Sequence, residues 1–292
     1  MRASAMSNTP PTPPTDEPTG SAPADEGDAP PLELLQPFER TAFRAMDLLH
    51  RRALPLTEWW LRTVGAGWMT LGSRNMMQPV GLEWLAGLRY DDGILLVSNH
   101  RSFFDLYMLM LLLHRHTPLR QPVLCPVRAD FFYQHLSGVL VNLLIGGGRM
   151  FPPFFREPQK ADFNKWALER VVAELHKGRV LVGFHPEGTR NKNADPYTPL
   201  PAQPGVGKLV MERWPIVVPA FIHGLSNDIV ADLRGNFTGN KRVVAVFGEP
   251  MDLSPFKKLG NRLSSHKRIA DALLKRIYQL GDEERAYRAT LG

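Results

Sequence analysis

Between residues 93 and 248 the chain alternates short, dense apolar runs with longer stretches that mix apolar and polar positions at helical spacing. Gly93–Ser98, Pro122–Val127, Arg179–Phe184, Pro215–Ile222 and Arg242–Gly248 are largely aliphatic and bounded by glycine, proline or charge. That pattern predicts strands buried on both faces. Residues 103–115, 130–144, 160–177 and 204–213, lying between them, predict helices. The third is the clearest, with Phe163, Leu168, Val171, Val172 and Leu175 on one side and Gly178 as a stop. Strands alternating with helices predict an α/β fold with a mixed, largely parallel sheet and flanking helices. A last helix is predicted over 262–280, where Ile269, Leu273, Ile277 and Leu280 fall in line.

Upstream of this alternation the pattern is helical. Leu34, Leu35, Phe38, Phe43, Leu48 and Leu49 recur at helical spacing with Arg40, Arg44, Arg51 and Arg52 between them, and Pro55 opens a second segment. There Trp60, Val64, Trp68 and Leu71 fall at i, i+4, i+8 and i+11, one face of a helix. Trp59, Trp60, Trp68 and Trp84 are four of the chain's six tryptophans. Two uses stand open for these aromatics: packing the helical pair onto the core, or anchoring it at the headgroup level of a membrane. Residues 1–32 differ again, with eight prolines, five acids, one base and no aromatic residue, which predicts a disordered acidic tail. The expected organisation is therefore a tail over 1–32, an amphipathic helical membrane-association region over 33–88, an α/β core over 89–255 and a basic amphipathic helix over 256–292.

Charge sharpens this picture. The 292-residue chain carries a formal +6 and the tail −4, so residues 33–292 carry +10. A basic surface suits anionic partners, but no ribonucleoprotein block, zinc-finger spacing or recognition-helix pattern accompanies it, so nucleic acid is not an expected partner. Lys257, Lys258, Arg262, Lys267, Arg268, Lys275 and Arg276 make the last helix basic, suited to anionic lipid or an acidic carrier protein, or simply a solvated face. The single cysteine, Cys125, excludes an intrachain disulfide and fits a reducing compartment; it sits in an apolar strand as a small hydrophobe. The first thirty residues hold no apolar stretch, so no signal peptide is expected. The longest apolar run, Leu106–Leu113, is eight residues, against about 20 for a membrane span.

In such a sheet, functional groups belong where strands run out into loops. The first strand leads into Asn99-His-Arg-Ser-Phe-Phe-Asp105. His100 has the chemistry of a general base, and Asp105, one turn into the next helix, can fold back onto its other nitrogen. The third strand leads into Phe184-His-Pro-Glu-Gly-Thr-Arg190, a tight turn followed by a guanidinium fork matched to phosphate or carboxylate. Gly205-Val-Gly-Lys208 lacks the leading glycine and the hydroxyl residue of a phosphate loop, although Lys208 can reach a phosphate. His114 and His116, two apart, suit no metal pair.

Asn99-His-x-Ser-x-x-Asp105 and Phe184-x-Pro-Glu-Gly-Thr-Arg190 resemble the first and third blocks of the glycerophospholipid acyltransferase superfamily, in the same order and about 80 residues apart. Ile216-Val-Val-Pro219-Ala-Phe-Ile222 is similar to its fourth block, and the resemblance covers roughly residues 90–250. The second block departs: Gly146-Gly-Gly-Arg-Met-Phe-Pro-Pro-Phe-Phe-Arg156-Glu157 offers Arg156 for that block's arginine, with Arg149 as competitor. In the third block His185 replaces an apolar residue and reads as a packed imidazole rather than an added polar contact.

The resemblance implies transfer of a fatty acyl group from an acyl thioester, of coenzyme A or acyl carrier protein, to the hydroxyl of a lysophospholipid. The first acceptor it implies is 1-acyl-glycerol 3-phosphate, giving phosphatidic acid. Alternatives are another acceptor (glycerol 3-phosphate or a lyso-aminolipid), or a non-catalytic membrane lipid-binding protein. It implies His100 as base, Asp105 as its orienting carboxylate, and Arg190 with Glu187, Gly188 and Thr189 on the acceptor's phosphate. Asn99, Ser102, Arg156 and Lys208 complete the expected substrate-binding set. No metal and no cofactor beyond the thioester co-substrate is expected. The expected location is the cytoplasmic face of a membrane, held peripherally through anionic lipid.

Overall fold

The computed structural model describes residues 29–89 and 91–291; residues 1–28, on which most of the predicted tail falls, lie outside the described residues. The chain runs α1 (Pro37–Arg52), α2 (Leu54–Trp60), α3 (Ala66–Ser73), β1 (Met77–Val80), β2 (Ile94–Ser98), α4 (Asp105–His116), β3 (Val123–Leu124), β4 (Val127–Arg128), α5 (Ala129–Phe132) and α6 (Leu136–Leu144). It continues through β5 (Pro153–Phe154), α7 (Ala161–Lys177), β6 (Leu181–Phe184), α8 (Gly205–Arg213), β7 (Ile216–His223), α9 (Ile229–Thr238), β8 (Val243–Phe247) and α10 (Leu263–Thr290).

Every residue of β2 and β8 is buried, so both faces of the sheet are covered, as the unbroken aliphatic runs require. The strand order is β1-β8-β7-β2-β6-β3, with a separate parallel pair β4-β5. Within β7-β2-β6-β3 all neighbours are parallel; β8 lies antiparallel to β7, and β1 parallel to β8. The fold is thus mixed α/β with a largely parallel sheet, and β2, β6 and β7 all open at one edge. Val97 stands opposite both Phe184 and Pro219, so the residues following these strands emerge side by side. Pro219 is tolerated inside the sheet because its carbonyl faces Gly248 on the β8 side, where the β8 ladder begins only at Ala220. Gly183 lets α4 lie close on β6, since a Cβ there would sit 2.5 Å from Met110 Cε.

Several predicted elements are redrawn. The run Pro122–Val127 splits at Pro126, and the chain leaves the main sheet after β3 to pair with β5. The predicted helix 130–144 is α5 and α6, separated by a turn at His135 in extended conformation. Strand β1 escaped the pattern because Pro79 sits in it, which an edge strand permits. The last helix reaches Thr290, and α10 packs on α8, β7 and β8 through Ile269, Leu273, Ile277 and Leu280.

Helix α1 joins the core: Phe43 packs against Phe151, Phe163 and Trp166, and Glu39 meets the buried Lys160 at 2.7 Å. Leu61–Gly65, between α2 and α3, is a π-helix. Across it the predicted Trp60–Leu71 stripe divides, with Trp60 and Trp68 half-buried and Trp68 packed on the core. Val64 and Leu71 are 40% and 53% exposed, while Gly65, Met69 and Gly72 face the interior. Of the tryptophans, Trp59 is exposed, whereas Trp60 donates from Nε1 to the Leu144 carbonyl at 2.9 Å. Among the described residues no helix is long and apolar enough to cross a membrane.

Candidate active site

Six residues connect β2 to the body of α4, and one carboxylate oxygen organises them. Asp105 opens α4, and its Oδ2 accepts the backbone N–H groups of Arg101 and Ser102, each at 2.7 Å. The same oxygen lies 3.3 Å from His100 Nδ1. His100 is thereby turned with Nε2 left for a proton donor from outside. The Asp105 side chain is 2% exposed and that of His100 20%, so the base reaches the surface and its carboxylate does not. Burial, then the charge of Arg190, holds His100 down at about 3, and burial pushes the Asp105 carboxyl up to about 6. A neutral imidazole at neutral pH is the form a general base needs.

The turn after β6 places its residues on two levels. Glu187 is buried, and its carboxylate is occupied by four donors. Oε2 accepts the His100 backbone N–H at 3.0 Å, and Oε1 accepts from Asn191 at 3.1 Å, the Leu200 N–H at 2.9 Å and the Tyr278 hydroxyl at 2.9 Å. Gly188, Thr189 and Arg190 lie at the opening. Gly188 has φ +65°, the left-handed conformation the turn demands, and Arg190 Nη1 donates to Asn227 Oδ1 at 3.0 Å. His185 lies flat on His100, with ring centroids 3.8 Å apart and planes 8° from parallel.

The residues of the expected substrate-binding set lie at different depths. Asn99 is fully buried and bridges the main chain of Ile222, donating to its oxygen at 2.9 Å and accepting from its nitrogen at 2.8 Å, which ties the end of β2 to β7. Ser102 is also fully buried; its hydroxyl donates to the Ser226 carbonyl at 2.5 Å and accepts the Phe104 N–H at 3.2 Å. Asn99, Ser102 and Glu187 therefore build the loops rather than face an acceptor. Lys208 lies in the first turn of α8, beside His266 in the first turn of α10. Tyr278, which braces Glu187, is twelve residues further along α10 than His266. Arg156 is on the surface, paired with Asp130 at 3.0 Å, and its competitor Arg149 is 2% exposed and paired with Glu58 at 3.0 Å.

Other residues at the site escaped the sequence reading. Asn227 holds Arg190, accepts the Phe103 N–H at 3.1 Å, and so joins the two loops. Asn191, one residue past Arg190, donates its backbone N–H to the His100 carbonyl at 2.6 Å. His223 ends β7, and its imidazole is held below its ordinary value by burial and then by Arg288. Cys125 is buried beside Met110, and burial pushes its thiol up to about 12, so it is no nucleophile.

Known proteins share this arrangement of segments to different extents. Dihydroxyacetone phosphate acyltransferase of Bos taurus is 28% identical over 187 residues, which are 62% of this chain and 26% of that protein. The chain thus spans about a quarter of the length of that relative. The crystal structure of the 1-acyl-sn-glycerophosphate (LPA) acyltransferase PlsC from Thermotoga maritima aligns over 83% of this chain and 87% of its own, at 13% identity and a TM-score of 0.42. The sequence profile of the Acyltransferase family matches residues 53–223, a span that runs from α2 to the end of β7 and contains both loops of the site. This chain belongs to the acyltransferase family.

Proposed function

We propose that the protein is a peripheral membrane O-acyltransferase that esterifies the hydroxyl of a glycerol-phosphate acceptor, foremost 1-acyl-glycerol 3-phosphate, with an acyl group from a coenzyme A or carrier-protein thioester. The observation that carries this reading is His100, 3.3 Å from the buried Asp105 carboxylate and itself reaching the surface, with the exposed guanidinium of Arg190 on the neighbouring loop. His100 Nε2 takes the hydroxyl proton as the acceptor oxygen bonds to the thioester carbonyl carbon. Asp105 stabilises the imidazolium so formed. When the carbon–sulfur bond breaks, the leaving thiolate takes that proton, and His100 is regenerated without a covalent enzyme intermediate. Arg190 holds the acceptor's phosphate as a charge-assisted, two-pronged contact.

A second acceptor reading, a small three-carbon phosphate, is favoured by the similarity to the bovine dihydroxyacetone phosphate acyltransferase. The test is thioester consumption by purified protein with palmitoyl-coenzyme A and, separately, 1-acyl-glycerol 3-phosphate, glycerol 3-phosphate, dihydroxyacetone phosphate and an uncharged monoacylglycerol. The phosphorylated acceptors are expected to react and the monoacylglycerol to be poor. Arg190→Ala should raise KM for the phosphorylated acceptor about 10- to 100-fold, the worth of a hydrogen-bonded charge. An enzyme that ignores the phosphate, or an Arg190→Ala variant with unchanged KM, would sink this reading of Arg190.

The membrane part of the proposal rests on outward apolar side chains of α2, α3, α6 and α9. Leu56, Trp59, Val64 and Leu71 are exposed along α2 to α3, Leu136, Leu140 and Leu144 form an i, i+4, i+8 stripe on α6, and Val230 and Phe237 are exposed on α9. Trp60 links α2 to α6 through Leu144, and α3 packs on α9, so these stripes adjoin. Such a contiguous patch suits insertion among headgroups and acyl chains. Trp59→Ser combined with Leu140→Ser and Leu144→Ser should abolish flotation with vesicles containing anionic lipid while leaving the circular dichroism spectrum intact. Undiminished flotation would rule out this face as the anchor.

A further inference from the structure

His100 has one side-chain hydrogen bond to fix it, the 3.3 Å contact from Nδ1 to Asp105. That contact selects which nitrogen points inward but leaves the ring free to swing about it. The second restraint is His185. Its imidazole covers one face of the His100 ring at 3.8 Å between centroids and 8° between planes. His185 is itself anchored, since Nδ1 donates to the Ser98 carbonyl at 3.1 Å and lies 3.2 Å from Ser98 Oγ. Ser98 ends β2 two residues before His100, so the ring and its cover are referred to the same strand end.

We propose that His185 is a positioning residue for His100, a flat plate held by Ser98 that sets the ring plane of the base and keeps water off one of its faces. The proposal rests on the reading of His100 as the base. His185 stands where the superfamily that the sequence resembles has an apolar residue, so the imidazole is a feature of this chain. A phenyl ring also covers a face; an imidazole adds the Nδ1 hydrogen bond that fixes the plate's own rotation.

The groups around the pair give the plate its effect. Asp105 faces His100 from α4, Arg190 from the loop after β6, and Glu187 takes its backbone N–H; His185 and then Arg101 act on the ionisation of Asp105, and Asp105 acts on that of His223. Burial is the first cause of the low basicity of His100, ahead of Arg190, and the plate supplies part of that burial. His185 is held down at about 3, by its own burial and then by His100, so it brings no charge at working pH.

The test is a histidine ring 15N NMR titration of the full chain as wild type, His185→Ala and His185→Phe, with kcat and KM measured on the same proteins. Wild type and His185→Phe are expected to keep His100 neutral down to pH 5. In His185→Ala, His100 should titrate within about a unit of the ordinary value of 6.5. In that variant kcat should fall about tenfold or more with KM nearly unchanged, because the ring is misoriented rather than the substrate lost. His185→Phe should recover much of the rate. His185→Leu, which fills the volume without a flat surface, should lose rate with the alanine variant and serves where alanine impairs folding. An alanine variant whose His100 stays neutral at pH 5, or a leucine variant as fast as wild type, overturns the proposal. The NMR titration reads the ring itself, so it decides the plate's role even where wild type transfers no acyl group, a result that would overturn the proposed function alone.

Discussion

A His100→Ala variant is expected to fold as wild type does and to transfer acyl groups roughly 10²- to 10⁴-fold more slowly, the range that a positioned general base supplies. The fold should survive because the first loop is held by other atoms. Asp105 keeps the N–H groups of Arg101 and Ser102, Asn99 keeps Ile222, and the backbone of residue 100 keeps its bonds to Glu187 and Asn191. Thermal unfolding and acceptor KM should therefore stay close to wild type while kcat collapses. The pH dependence of kcat carries a further signature. Burial raises the Asp105 carboxyl to about 6, so its neutral form persists to a higher pH than in water. The imidazolium that forms on His100 needs the ionised carboxylate, so the rate should be level above about pH 6 and fall as pH drops through that value. His100, held down at about 3, does not titrate in this window. An acid limb near pH 4 in wild type would mean that Asp105 ionises as if exposed; a His100→Ala variant retaining most of the rate would mean that another group takes the proton.

What the sequence disclosed follows from how local each signal is. β2, β6, β7 and β8 were legible because each is a short aliphatic run buried on both faces, and His100 with Asp105 because a helix start brings residues five apart together. β1 was hidden by Pro79, harmless at a sheet edge. The Trp60–Leu71 stripe had the right period but does not keep one environment, because across the π-helical turn at Leu61–Gly65 Trp60 and Trp68 are half-buried while Val64 and Leu71 are exposed. Within the site, sequence spacing put Asn99, Ser102 and Glu187 beside the base without telling support from contact. That distinction is made by partners distant in the chain: Ile222, Ser226 and Tyr278 lie 123, 124 and 91 residues from the groups they bind. Where Lys208 sits was not legible either, since α8 sets its first turn beside His266, 58 residues further along the chain.

Glu187 and Arg190, three residues apart in one turn, should respond oppositely to removal. Glu187→Ala would strip the acceptor from four donors. Asn191 retains the Thr198 carbonyl at 2.7 Å, but the Tyr278 hydroxyl, which only accepts from Asn191 at 3.1 Å, and the backbone N–H groups of His100 and Leu200 lose their acceptor. Each buried donor left unpaired costs about 1–3 kcal/mol, so the loss is about 3–5 kcal/mol with the void included. Helix α10 would also lose its grip on the site, because burial and the charge of Glu187 raise the Tyr278 phenol and keep it a donor to that carboxylate. In urea unfolding the midpoint should fall at constant slope, and Tm should drop on the order of 10 °C for a domain of this size. Glu187→Gln should recover part of the stability, since the amide keeps one acceptor oxygen but turns a donor toward a neighbouring donor. Arg190→Ala, by contrast, removes an exposed side chain bonded to Asn227 and should leave Tm within about 1 °C while acceptor KM rises. Activity lost in both variants, stability in one, would separate the residue that holds the site together from the residue that meets the substrate. A Glu187→Ala protein as stable as wild type would mean that water reaches those two N–H groups, and that the carboxylate is free for the acceptor after all.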